Sequence, residues 1–288
     1  MDGQWTYLHG TGAIGPDGGL SGVEVELPKG LGAFALPAVP HRLDLTDAVA
    51  DSLKMLEVAP DAVTLPVFAA VWRAVLGSAD FGLHLTGPSG SGKSELAALA
   101  QQHFGAELNA RHLPGGWSST GNALEVLAFS LKDTLCVVDD FAPHGGATDV
   151  WRYHREAERL FRAQGNLAGR MRLSRDGQLL AERPPRGLVL STGEDVPHGH
   201  SIRARLLVLE LEPGAMRWEH LTECQRLAAE GRFAAATAGF VQWLARRYPE
   251  ARMALREDTQ RYRNALTLMG GHKDRKSTRL NSSHVSQS

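Results

Sequence analysis

LHLTGPSGSGKSELAALA, residues 83–100, runs from an apolar β-prone segment through a glycine-rich turn into a helix-forming segment. Gly87, Gly92, Lys93 and Ser94 fit the pattern G-x-x-x-x-G-K-[ST]. Glycine lets such a loop curl until backbone N–H groups converge on phosphate oxygens, and the positive end of the following helix faces the same charge. The expected cradle is Gly87, Pro88, Ser89, Gly90, Ser91, Gly92, Lys93 and Ser94. Lys93 is expected to reach the β- and γ-phosphates of ATP, and Ser94 to ligate Mg2+. The strand before and the helix after argue against an ordinary glycine turn.

Working outward, TLCVVDD is a β-branched apolar run that ends in two acids at Asp139 and Asp140. Carboxylates at the end of such a strand lie beside the loop. Asp139 is expected to hold Mg2+, directly or through water, and Asp140 to polarise the attacking water. Asp140 is one methylene shorter than the glutamate many ring ATPases carry there. Next comes LVLSTGED, another apolar strand with two hydroxyls at its end, Ser191 and Thr192. One of them is expected to hydrogen-bond the γ-phosphate or the water; the sequence leaves open which. SIRARLLVLEL carries Arg203 and Arg205 just before the last strand. If that segment is extended they share a face, and either is placed to stabilise transition-state charge in a neighbouring copy. Solvated arginines at a strand start are the plain alternative.

Between the acidic strand and LVLST the charge turns basic. Residues 151–186 hold nine arginines against four carboxylates, although the whole chain of 288 residues carries a net charge of −1. Arg152, Arg155, Arg159 and Arg162 recur at helical spacing and share a face. GRMRLSRDGQLLAERPP then reads as a hairpin turning at Asp176–Gly177. Its Arg170, Arg172 and Arg175 are candidates to grip the phosphates of single-stranded DNA, against the plain alternative of a solvated hairpin.

Elsewhere, residues 4–36 alternate short β-prone runs with glycine turns, and Val23–Leu27 alternates apolar and acidic residues as a half-buried strand does. Asp44–Val58 and Leu65–Leu76 read as helices, and Met216–Leu268 as mainly helical with breaks near Gly231 and Pro249. GGWSSTGNALE reads as a polar loop whose Ser/Thr cluster caps a helix from Gly121. The expected segments are a β-rich piece over 1–40, a helical cap over 41–78, an ATPase core over 79–215, a helical region over 216–272, and a disordered tail over 273–288. Asp274–His284 resembles the translation of a sequencing-library adapter, so the natural protein is expected to continue beyond His272. No apolar run approaches the ~18 residues of a membrane span, the N-terminus lacks a leader pattern, and the two cysteines lie apart. The expectation is a reduced, cytoplasmic protein with no membrane partner. The fold class is α/β with a mainly parallel sheet, since its strands are continuous apolar runs.

Taken in order, WTYLHGTGAIG…GVEVELP, GPSGSGKS, GGWSSTGNALE, VVDD, AQGNLAGRMR and LVLSTGE resemble the domain-of-unknown-function family 927, over about residues 4–215. The resemblance implies a helicase-like P-loop ATPase, similar in layout to AAA+ and superfamily 3 ring helicases, found in mobile elements and phages and often joined to a primase module. It implies DNA replication chemistry and a homo-oligomeric ring whose hairpins face DNA. A P-loop phosphotransferase, and a slow nucleotide-dependent assembly switch, are the competing classes.

Overall fold

Gly82–Thr86 (β4) is buried along its whole length, as a strand covered on both faces must be. In a computed structural model of the chain, which describes residues 5–268, it lies within a five-stranded sheet. Three short antiparallel strands precede it: β1 (Tyr7–His9), β2 (Gly12–Gly15) and β3 (Gly18–Gly19). Helices α1 (Arg42–Leu53) and α2 (Asp61–Ala74) follow. After β4 come α3 (Lys93–Gln101), β5 (Gly115–Gly116), α4 (Gly121–Ser130), β6 (Leu135–Phe141) and α5 (Ala147–Asn166). A hairpin of β7 (Arg172–Leu173) and β8 (Leu179–Leu180) leads into β9 (Leu188–Gly193). The chain continues through α6 (His200–Arg203), β10 (Leu206–Glu210), α7 (Trp218–Ala229) and α8 (Arg232–Ala245).

The sheet runs β10-β4-β9-β6-β5, and every pairing in it is parallel. The strand with the two hydroxyls, β9, is therefore inserted between the glycine-loop strand and the acidic strand. Because β5 is only two residues long, Leu135 O and Val137 N of β6 need another partner. Gln101 of α3 supplies it: its amide donates to Leu135 O at 2.7 Å and accepts from Val137 N–H at 3.0 Å. The other face carries Trp117 and Phe141, which meet each other edge to face; His84 meets Phe141 in the same way, and Trp117 reaches Phe161 of α5.

Residues through Arg246 form one compact unit, so the segments expected over 1–40, 41–78 and 79–215 pack into a single body with α7 and α8. Helix α9 (Tyr248–Leu268) belongs to a second unit. The expected helical breaks fall at Gly231, which adopts φ +81 before α8, and ahead of α9, whose first turn contains Pro249. Val23–Leu27 corrects the strand expectation. Its burial alternates with period two, but it joins no ladder. The segment around Arg203 is also corrected: it is a short helix, not extended, so the two-residue alternation that would align Arg203 with Arg205 does not apply. The tail beyond 268 lies outside the described residues. No helix among the described residues is long and apolar enough to cross a membrane. Cys136 and Cys224 are free and buried.

Candidate functional site

The glycine loop joins β4 to α3, with Gly92 as the residue preceding the helix. Gly92 adopts φ +92, and a Cβ there would come 2.7 Å from Met216 Cε. At Gly87 a Cβ would come 2.4 Å from Leu211 O. Both positions need glycine for the loop to keep this curl.

Lys93 is 8% exposed, and its Nζ turns back to donate to Pro88 O at 2.7 Å and to Ser91 Oγ at 3.4 Å. Burial lowers its pKa, against the upward pull of the Glu194, Asp139 and Asp140 carboxylates. No ion pair with a carboxylate engages Lys93 among the described residues. It is a cation held by an uncharged carbonyl and a hydroxyl, an arrangement that leaves its charge for an anion.

Ser94, at the start of α3, donates its hydroxyl to Asp139 Oδ1 at 2.8 Å. Thr192, at the end of β9, donates to the same oxygen. Three residues from three elements thus meet at one carboxylate. The reason lies in strand alternation. Register pairs Leu85 with Thr192 and His84 with Ser191, so Thr192 faces α3 and Ser191 faces the opposite side. Thr192 Oγ1 also accepts from Asp140 N–H at 3.2 Å. β6 shifts register between Val138 and Phe141, and Asp140 adopts φ +67 there. Aspartate tolerates this left-handed conformation better than most residues. Its carboxylate is exposed at the strand end.

Ser191 is fully buried in a separate polar chain. It accepts from Trp117 Nε1–H at 2.9 Å and faces His84 Nδ1 at 3.0 Å. His84 Nε2 lies 2.8 Å from the carbonyl of Asp195, which can only accept. Nε2 therefore carries the proton, Nδ1 is the acceptor, and Ser191 donates to it. Ser191, His84 and Trp117 saturate one another, while Trp117 N–H donates to Asp139 O at 2.9 Å. Sequence reading missed His84 and Glu194. A histidine inside an otherwise apolar strand immediately before the glycine loop was the available signal.

A hydroxyl and a carboxylate at 2.8 Å suit a hard cation that keeps most of its ligands as water and phosphate oxygen. Among the described residues no group of three or more His, Cys, Asp and Glu side chains is placed to hold a metal. Ser94 Oγ and Asp139 Oδ1 thus offer a hard cation two oxygen ligands.

The arginines distribute unevenly. Arg205 donates to Ser201 O at 2.6 Å and to Asn166 Oδ1 at 2.9 Å. The side chain of Arg203 lies outside what the structure describes. On α5, Arg155 and Arg162 pair with Glu156 and Glu158, and Arg159 with Glu125. In the hairpin, Ser174 N–H donates to Gln178 O at 2.8 Å and Gly177, at φ +74, closes the turn onto Ser174 O at 3.1 Å. This is a three-residue turn with glycine in the left-handed position. Arg170 and Arg175 are exposed, whereas Arg172 lies 2.6 Å from Glu125 of α4.

Two buried histidines make stability depend on pH. His84 and His103 are fully buried, and burial pushes each down to about 4. His103 faces Ser52 Oγ at 2.8 Å and donates from Nδ1 to Leu99 O at 3.0 Å. The unfolded chain takes up protons near pH 6.5 that the folded chain refuses. Stability is therefore full above about 6.5 and falls as pH drops toward 4, by on the order of 3 kcal/mol per histidine. Denaturant midpoints between pH 7.5 and 5 check this, and His103→Gln should flatten the dependence.

With this geometry in hand, the chain can be compared with known proteins. Residues 51–178 match the family model described as domain of unknown function (DUF927). No curated protein matches the chain. Among solved structures it is similar to "SCCmec type IV Cch - active helicase", with 16% identity and a TM-score of 0.49 over 82% of this chain and 43% of that one. A JCV helicase structure shows 13% identity and a TM-score of 0.39 over 76% of this chain and 62% of that one. The NrS-1 C-terminal region shows 11% identity and a TM-score of 0.38 over 76% and 51%. The chain spans about half the length of these structures.

Proposed function

We propose that this chain is an ATP-hydrolysing, helicase-like motor of the AAA+/superfamily 3 type that acts on DNA. The observation that carries the reading is the meeting of Ser94, Asp139 and Thr192 beside the glycine loop, with β9 inserted between the loop strand and the acidic strand. The backbone of residues 87–94 binds phosphate, and Lys93 leaves Pro88 O for phosphate oxygens. Ser94 and Asp139 hold Mg2+, which when bound neutralises phosphate charge. Thr192 and Asp140 orient the attacking water, with Asp140 as its proton acceptor. Ser191 holds Trp117 and His84, and so the ends of β4 and β9.

Arg203 or Arg205 of an adjacent copy in a homo-oligomeric ring completes the charge stabilisation. The hairpin meets single-stranded DNA, where Arg170 and Arg175 contact phosphates. A role in replicating a mobile element or phage, beside a primase module, follows from the family resemblance. Polarisation of labelled single-stranded DNA tests the partner. Binding is expected to weaken steeply with salt and to weaken further in Arg170→Ala/Arg175→Ala. Salt-independent binding, or none, contradicts it.

A slow assembly switch is the second reading, favoured by Asp140, which is short and lies in a left-handed conformation. Single-turnover rates much below those of motors would select it.

A further inference from the structure

Glu125, on α4, is 8% exposed and stands between two guanidiniums. Arg159 of α5 donates to it, and Arg172 of the hairpin lies 2.6 Å away. Burial works to raise the Glu125 pKa, but the hydrogen bond from Arg159 and the nearby charge of Arg172 outweigh it and hold the carboxyl below its usual range. It is ionised throughout the physiological range.

The hairpin itself has little to hold it. Its ladder is two residue pairs long, and a lone two-stranded ribbon is marginal in water. Pairing places Leu173 and Leu179 on one face, and they are 65% and 70% exposed. The other face carries Arg172, which reaches Glu125 of α4; Glu125 and Arg159 also line a groove of about 540 Å3 between α4, α5 and the base of the hairpin at residues 168–170. The segment that leads from the hairpin into β9 is also tied to α4. Arg186 N–H donates to Ala128 O at 3.1 Å, its Nε to Phe129 O, and its guanidinium lies 3.8 Å over the Phe129 ring. One helix therefore meets the first strand of the hairpin and the segment that follows it. That helix starts at the Thr120 cap, directly after the loop in which Trp117 bonds Ser191 and Asp139 O.

We propose that Glu125 is a positioning residue that fixes the hairpin to α4 through Arg172, so that Arg172 is the hairpin's anchor and not a DNA contact. This rests on the reading that the hairpin meets DNA. Replacing Glu125 leaves Arg159 with Glu156, 3.6 Å away, and leaves Arg172 with no carboxylate among the described residues. The hairpin then loses its orientation while the nucleotide site, which Glu125 does not touch, is unchanged.

The test uses the full chain with Glu125→Gln, Glu125→Asp, Arg172→Gln and the double variant Glu125→Gln/Arg172→Gln. Hydrogen exchange should speed up in residues 170–181 by about tenfold in Glu125→Gln and Arg172→Gln alike, with little change in the sheet. The double variant should be no worse than either single one, because both remove the same contact. Glu125→Asp should restore part of the protection. DNA-stimulated ATP hydrolysis should fall in step, with basal hydrolysis kept. Two results overturn the proposal. One is unchanged hairpin exchange in Glu125→Gln. The other is Arg172→Gln lowering the salt slope of DNA binding by about one contact while Glu125→Gln leaves binding intact. Should the wild-type chain ignore DNA, the motor reading fails, while the exchange data still decide whether Glu125 anchors the hairpin. Should Glu125→Gln not fold, Glu125→Asp and Arg172→Gln carry the same comparison.

Discussion

Lys93→Ala is expected to reduce ATP hydrolysis by at least about 10³-fold while leaving the fold and its melting temperature nearly unchanged. Lys93 is almost fully buried, and among the described residues its ammonium is satisfied only by Pro88 O and Ser91 Oγ. Burial already disfavours its charge. Removing a charge from such a place costs the fold little, since the loop carbonyl and hydroxyl regain water. Hydrolysis loses the loop's own cation, which follows charge as it moves onto the β–γ bridge. Lys93→Arg should fail as well, because a planar fork does not fit where a single point charge reaches Pro88 O. Phosphate release, read beside a thermal melt, checks both halves. Wild-type turnover in Lys93→Ala would remove the site assignment.

Ser191 and Thr192 should separate cleanly. Thr192→Val keeps shape but removes the hydroxyl that reaches Asp139 and accepts from Asp140 N–H. Turnover at saturating ATP should fall about 10²-fold with a small loss of stability. Ser191→Ala should do the reverse. It strands Trp117 Nε1–H and His84 Nδ1 in a dry core, at about 2–3 kcal/mol of stability, with turnover within a few-fold of wild type. Turnover and denaturant midpoints on the same two proteins decide the matter. If Ser191→Ala kills turnover and Thr192→Val does not, β9 presents its other face to the nucleotide.

Much of this was legible beforehand, for physical reasons. Glycine spacing, an apolar strand ending in acids and a β-branched run ending in hydroxyls are local signals, and β4, β6 and β9 appear where those signals lie. Alternation along LVLST shows that Ser191 and Thr192 face opposite ways. Which of them faces α3 depends on pairing with β4, and pairing is not local information. Val23–Leu27 has strand periodicity without a ladder, because period two reports burial on one side and not hydrogen-bond partners. Arg203 and Arg205 share a face only if their segment is extended, and α6 closes a helical turn there instead. The arginine trio of the hairpin looked equivalent in sequence. Arg172 differs because Glu125, from another helix, meets it, and no spacing rule connects those two positions.

The central claim is that this site turns over ATP in response to DNA. Steady-state phosphate release by the full chain, with Mg2+, measured against rising single-stranded DNA at low salt, tests it most directly. The predicted result is a saturable rise in rate that vanishes without Mg2+ and in Lys93→Ala. A rate that stays flat across the whole DNA titration would contradict it.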